Sequence, residues 1–154
     1  MRFDERLIEL GISLPSPSSP GGSYVPALQV GNLVFLSGQL PQWNGERRFL
    51  GRLGEDLDIE AGQQAARLCA LNLIAHLRTM LNGSLDRVAR CVRLAGYVNS
   101  TSSFTQQPQV LNGASDLMYQ LFGDAGRHTR VAVGVSSLPS GGAVEIEAIF
   151  EVHQ

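Results

Sequence analysis

At 154 residues, with 44% hydrophobic and 17% charged positions and a formal net charge of −2, the chain reads as one soluble globular domain. That composition fits a globular rather than a disordered chain, and a domain of this length buries roughly two-thirds of its unfolded surface. No basic block points to a nucleic-acid or acidic-membrane partner, and no apolar run approaches a membrane span. Cys69 and Cys91 show no CxxC spacing and read as reduced, buried thiols; with no signal-peptide segment, the expectation is a cytoplasmic protein.

Residues 1–10 mix charge with Phe3, Leu7, Ile8 and Leu10, which predicts a short amphipathic helix ended by Gly11. With the Pro/Gly/Ser connector that follows, residues 1–20 form a docked extension of a single domain covering 1–154. The glycines near residue 21 lack the lysine and spacing of a phosphate loop. Residues 24–30 and 33–37 flank Gly31-Asn32 and predict a tight hairpin. Leu33 to Leu36 are all apolar, as in a strand covered on both faces. Ser37-Gly38-Gln39 ends that strand, and Gly38 admits either a bulge with close ligand approach or a plain turn. Residues 41–58 read as loop or short hairpin, with Trp43 as an anchor.

Asp58 is the predicted N-cap of a helix running to Leu81 and stopped by Asn82-Gly83. Its broad apolar stripe suits packing on a sheet, and His76 reads as a surface or edge position. Residues 88–98 read as a strand. Residues 107–122 read as a second helix, with Pro108 in its first turn and Gly123 as its stop. Two alternating runs close the chain, 127–135 and 144–152, separated by Leu138-Pro139-Ser140-Gly141-Gly142. They predict an antiparallel hairpin in which Val131, Val133 and Val135 share the core face with Val144, Ile146, Ala148, Phe150 and Val152. The opposite face then carries Arg130 and Ala132 beside Glu145, Glu147 and Glu151. One register sets Ala132 opposite Glu145 and Arg130 opposite Glu147. Such a strip either holds a small anion beside a general base or forms a solvated ladder of ion pairs.

The element order predicts an α+β layer, one sheet with both helices on a single face. The bare face then calls for self-association. The three histidines show no HExxH or clustered metal spacing, so no metal site is expected. GxSxG and GxGxxG signatures are missing too, which disfavours a covalent triad or a dinucleotide cofactor. What remains is an arginine to hold an anion, carboxylates to activate water, and backbone donors at glycines.

Four islands, Ser23-Tyr24-Val25-Pro26-Ala27 with Gly31-Asn32-Leu33, Ser37-Gly38-Gln39-Leu40-Pro41, Arg130 to Val135, and Leu138-Pro139 with Val144-Glu145-Ile146-Glu147-Ala148, resemble the RidA family. The family is also called YjgF and, historically, endoribonuclease L-PSP. The resemblance runs from about Gly21 to Val152. It implies a chorismate-mutase-like fold with a mixed sheet, a homotrimer around a central barrel, and clefts between subunits. It also implies cofactor-independent hydrolysis of imines and enamines such as 2-aminoacrylate to 2-oxo acids and ammonia. By position, Arg130 matches the arginine gripping the substrate carboxylate and Glu145 the carboxylate placing the water. Tyr24 matches a tyrosine lining the cleft from the neighbouring subunit, and Ser37-Gly38 the turn that closes it. The family's cysteine two residues after the arginine is here Ala132, which leaves a backbone N–H and no side-chain role. A longer N-terminus marks a divergent branch. A binding protein without turnover is the second reading, and RNA cleavage, set against the acidic net charge, the third.

Overall fold

The computed structural model describes residues 2–154; Met1, the first residue of the expected N-terminal helix, lies outside the described residues. Helix α1 (Phe3–Glu9) is followed by Gly11 at φ +65°. It is tied down by Asp4, whose carboxylate accepts the Leu85 N–H at 3.0 Å and the Ser84 hydroxyl at 2.5 Å. Phe3 meets the edge of Phe122 with ring centroids 4.9 Å apart.

The long helix α2 (Ile59–Met80) begins where Asp58 Oδ1 accepts the Ala61 N–H at 2.8 Å, a cap worth about 1 kcal/mol. Asn82 and Gly83, both at positive φ, end it. Helix α3 (Gln107–Phe122) has its proline in the first turn and Gly123 after the last. Leu68, Leu73, Ile74 and Leu77 of α2 and Leu111, Leu117 and Met118 of α3 are buried in one core. The two helices meet through small residues: a Cβ on Gly113 would lie 2.0 Å from the Gln63 carbonyl oxygen. No helix among the described residues is long and apolar enough to cross a membrane.

The strands are β1 (Ala27–Val30), β2 (Leu33–Gln39), β3 (Gln42–Trp43), β4 (Glu46–Arg47), β5 (Val88–Asn99), β6 (Thr129–Val135) and β7 (Val144–Val152). Five of them form a mixed sheet in the order β1-β2-β7-β5-β6, in which only β5 and β6 are parallel. β1 and β2 pair as expected, although β1 starts at Ala27 rather than at Tyr24. β3 and β4 make a separate small hairpin about Asn44-Gly45, both at positive φ. Trp43 anchors it against the core.

The expected C-terminal hairpin does not form. β6 pairs with β5 at the sheet edge, and β7 enters between β5 and β2. The link from Val135 to Ala143 wraps the end of β5, where Ser100 N–H reaches the Val135 carbonyl and Asn99 N–H the Ala143 carbonyl. Burial explains the placement. Val144, Ile146, Ala148, Phe150 and Val152 are all at most 3% exposed and suit a central strand, whereas Val131 and Val133 are 38% and 41% exposed. The faces of β6 are therefore inverted relative to expectation. Arg130 and Ala132 stand in register with Leu94 and Gly96 on the helix-covered side, and the valines lie on the bare side.

The bare face carries a second correction. Val34 and Leu36 are buried, but Leu33 and Phe35 are 36% and 40% exposed, so β2 is covered on one face only. Cys69 and Cys91 are buried free thiols; burial pushes Cys91 up to about 12 and Cys69 well above its ordinary value.

Candidate functional site

The first half of the site is built by a bulge. Leu36 pairs with Ala148 and Gln39 with Ile146, so β2 spends one more residue than β7 across Ser37-Gly38. Glu145 lies against that bulge: a Cβ on Gly38 would stand 3.0 Å from Glu145 Oε2 and 3.1 Å from Cδ. Here the missing side chain matters, because only glycine lets the carboxylate lie flat on the backbone. Half-buried on a central strand, Glu145 has its carboxyl pushed above the ordinary range, chiefly by burial and then by Glu147 on the same face. A carboxylate raised in this way accepts a proton more readily at neutral pH.

Glu145 and Gly38 open on a cleft of about 420 Å³ with Tyr24 at its mouth. Tyr24 is 51% exposed, and its phenol oxygen accepts the Gly21 N–H at 3.2 Å. Ser37 is placed differently. Its hydroxyl donates to the Val25 carbonyl at 2.7 Å, fixing the connector to the bulge, and the residue borders a shallow groove on the bare face instead of the Glu145 cleft.

The cleft floor was not read from the sequence. His76, expected at a surface or edge, is 4% exposed and Gln39 is 6% exposed. Ser18 of the connector joins them, with its Oγ 3.2 Å from His76 Nε2 and 3.3 Å from Gln39 Oε1. One consistent assignment has His76 Nε2–H donating to Ser18, which donates to Gln39. Burial lowers the pKa of His76, favouring the neutral ring that this chain of bonds uses. The signal in the sequence was a lone histidine among the aliphatic residues of a buried helix stripe. Its direction required knowing that the connector folds over it.

The second half of the site centres on Arg130, which does not reach Glu145 within one copy. β5 separates β6 from β7, a gap of about 10 Å for two strand spacings, and the two side chains leave opposite faces of the sheet. Arg130 Nη1 donates to Asn112 Oδ1 at 2.8 Å and to Ser115 Oγ at 3.1 Å; Nη2 reaches the Pro108 carbonyl at 3.4 Å. Ser115 Oγ is also 2.9 Å from His128 Nε2, whose Nδ1 donates to the Gly126 carbonyl at 2.6 Å. All three partners of the guanidinium are neutral. They hold its plane and leave its charge free for an anion. Asn112 and Ser115, three residues apart on one side of α3, were missed because nothing local shows that β6 lies beside that helix. Ala132, partly buried on the same side of β6, is likewise remote from Glu145.

The structure thus joins Glu145, Gly38 and Tyr24 in one cleft and leaves Arg130 and Ala132 at the far sheet edge. Comparisons with known proteins bear on this arrangement. Residues 4–149 match the family model described as "YjgF/chorismate mutase-like, putative endoribonuclease". Protein TCP17 of Trypanosoma cruzi is 45% identical over 99% of this chain and 95% of its own length. The crystal structure of the Agrobacterium tumefaciens protein Atu1372, of unknown function, superposes with a TM-score of 0.90 at 43% identity, covering 99% of this chain and 92% of that one. A Dermatophagoides farinae protein named 2-iminobutanoate/2-iminopropanoate deaminase is 27% identical over 92% of this chain and 95% of its own. With a model match spanning nearly the whole chain and relatives above 40% identity on the same fold, the protein belongs to the YjgF/RidA family.

Proposed function

We propose that the protein hydrolyses small imino and enamino acids to 2-oxo acids and ammonia, in a cleft completed between copies of the chain. The observation that carries this is Glu145, a carboxyl raised by burial and laid against the Gly38 backbone in an open cleft. In the proposed step Glu145 takes a proton from water as the oxygen bonds to the imine carbon and passes it to the imine nitrogen, giving the carbinolamine. Glu145 then takes the carbinolamine hydroxyl proton and delivers it to nitrogen as the C–N bond breaks, so that ammonia leaves and the carbonyl forms. A positioned base contributes on the order of 10²–10⁴ in rate, enough for a carbon that is already electrophilic. Arg130 supplies the carboxylate grip from a neighbouring copy, since it cannot do so from its own. The deaminase name of the mite relative supports the substrate class.

Self-association is supported by the bare sheet face, where Leu28, Val30, Leu33, Phe35, Val131 and Val133 are each 36–60% exposed. We place the assembly as a homotrimer around these faces. A pyridoxal-phosphate lyase that releases 2-aminoacrylate, coupled to the purified protein, tests the activity. The wild type is expected to accelerate 2-oxo acid release, and Glu145→Gln and Arg130→Ala each to lose at least ~100-fold of that acceleration. No acceleration by the wild type removes the enzymatic reading. Ala132, where the family has a cysteine, favours the second reading, a binding protein without turnover. That reading expects 2-oxo acids to raise the melting temperature of a protein inert in the assay.

A further inference from the structure

We infer that the cleft selects a ligand bearing a second carboxylate, an imino or oxo dicarboxylic acid, with Arg47 as the counter-ion of its distal end. This rests on the proposed function, in which Glu145 works on the imine carbon and a neighbouring Arg130 holds the first carboxylate.

The lining of the cleft away from Glu145 carries the inference. Arg47 of β4 is the one lysine or arginine among the described residues that line it. It forms none of the ion pairs that occupy its neighbours: Arg48 pairs with Glu46 at 3.6 Å and Arg52 with Glu55 at 3.8 Å. Below it the floor is polar where an apolar one would cost less. His76 sits between Ala75 and Leu77, with Leu73 and Ile74 also buried beside it, and Gln39 ends a strand at 6% exposure. Burying such groups costs free energy unless they find partners. Ser18 satisfies one edge of each and leaves donor and acceptor capacity at the cleft surface. A pocket built for an alkyl substituent has no use for a guanidinium, an imidazole and an amide in its wall. A substituent ending in a carboxylate uses the guanidinium in a charge-assisted contact and the second N–H of the Gln39 amide, whose first donates to the Ser37 carbonyl at 3.5 Å, while His76 holds that amide in place through Ser18. The volume of about 420 Å³ accommodates a four- or five-carbon diacid within the usual range of small-molecule sites. β3–β4 gives the device its position, because the Asn44-Gly45 turn folds the ribbon back and Asn44 Oδ1 accepts the Ser16 N–H at 2.7 Å, pinning it to the connector.

The experiment is calorimetric titration of the assembled protein with 2-oxobutanoate and with 2-oxoglutarate at constant ionic strength. The expected result is at least ~10-fold tighter binding of 2-oxoglutarate by the wild type, and a preference below ~3-fold in Arg47→Ala. Arg47 is exposed on a surface ribbon, so that variant is expected to fold, and its melting curve checks this. Equal affinities in the wild type, or a preference that survives Arg47→Ala, overturn the inference while leaving the proposed function standing. Binding of neither acid overturns both.

Discussion

Glu145 shows how one residue carries both the proposed chemistry and a stability signature. Its carboxyl is raised because folding takes it half out of water and sets Glu147 near it. A raised carboxyl binds its proton more tightly in the folded than in the unfolded chain. Stability from this group is therefore full at pH below its unfolded value and is lost as pH rises through the folded one. Glu145→Gln removes that loss. Its melting temperature relative to wild type should rise as pH climbs through and above the ordinary carboxylate range, while the proposed deaminase rate collapses. Melting curves of both proteins across that range check the sign; a difference independent of pH would mean that Glu145 ionises as freely as in the unfolded chain. At this scale the sequence was informative wherever the cause is local. Asp58 caps, Gly31-Asn32 turns and Gly38 bulges because each acts within a few residues of itself, Asp58 through its carboxylate on the Ala61 N–H and the glycines through their backbone. His76 was misplaced because its partner, Ser18, is 58 residues away.

At the scale of elements, alternation gave the period of β6 and β7 but not the side. β7 turns its apolar set to the helices, as expected, whereas β6 turns Val131 and Val133 to the bare face and Arg130 to α3. Parity cannot distinguish a strand whose apolar side meets its own core from one whose apolar side meets another copy. The same ambiguity affected β2, whose Leu33 and Phe35 share the bare face. Helices were more legible, since caps and stops are local, yet their spacing depends on glycine contacts invisible to periodicity. At Gly113 an added Cβ would fall 2.0 Å from the Gln63 backbone oxygen and force α2 and α3 apart. Alanine gains about 1 kcal/mol in helix propensity, but overpacking against backbone costs about 3 kcal/mol, so the loss wins. Gly113→Ala should lower the melting temperature by about 4–8 °C. A variant as stable as wild type would show that the helices separate freely.

For the whole molecule, the decisive fact is that the two halves of the proposed site leave opposite faces of one sheet, two strands apart. No side-chain rotation brings Arg130 and Glu145 onto one small ligand, so the proposed site needs two chains. Closed cyclic symmetry makes the consequence countable. In a trimer, each cleft takes Glu145 from one copy and Arg130 from the next. Unfolding and refolding Arg130→Ala with Glu145→Gln in equal amounts mixes the chains at random. A cleft is intact when its glutamate comes from an Arg130→Ala chain and its arginine from a Glu145→Gln chain. Each condition holds half the time, so about a quarter of wild-type activity should return from two inactive parents. Refolding either variant alone should return none. If both residues served the same cleft from one chain, every cleft in the mixture would lack one of them and activity would stay at the level of the parents. The exposed valines and phenylalanine supply the control: Phe35→Glu or Val133→Glu, placing charge on the bare face, should yield a monomer by light scattering and abolish rescue. Rescue that persists in such a monomer would rule out assembly as the way the arginine reaches the carboxylate.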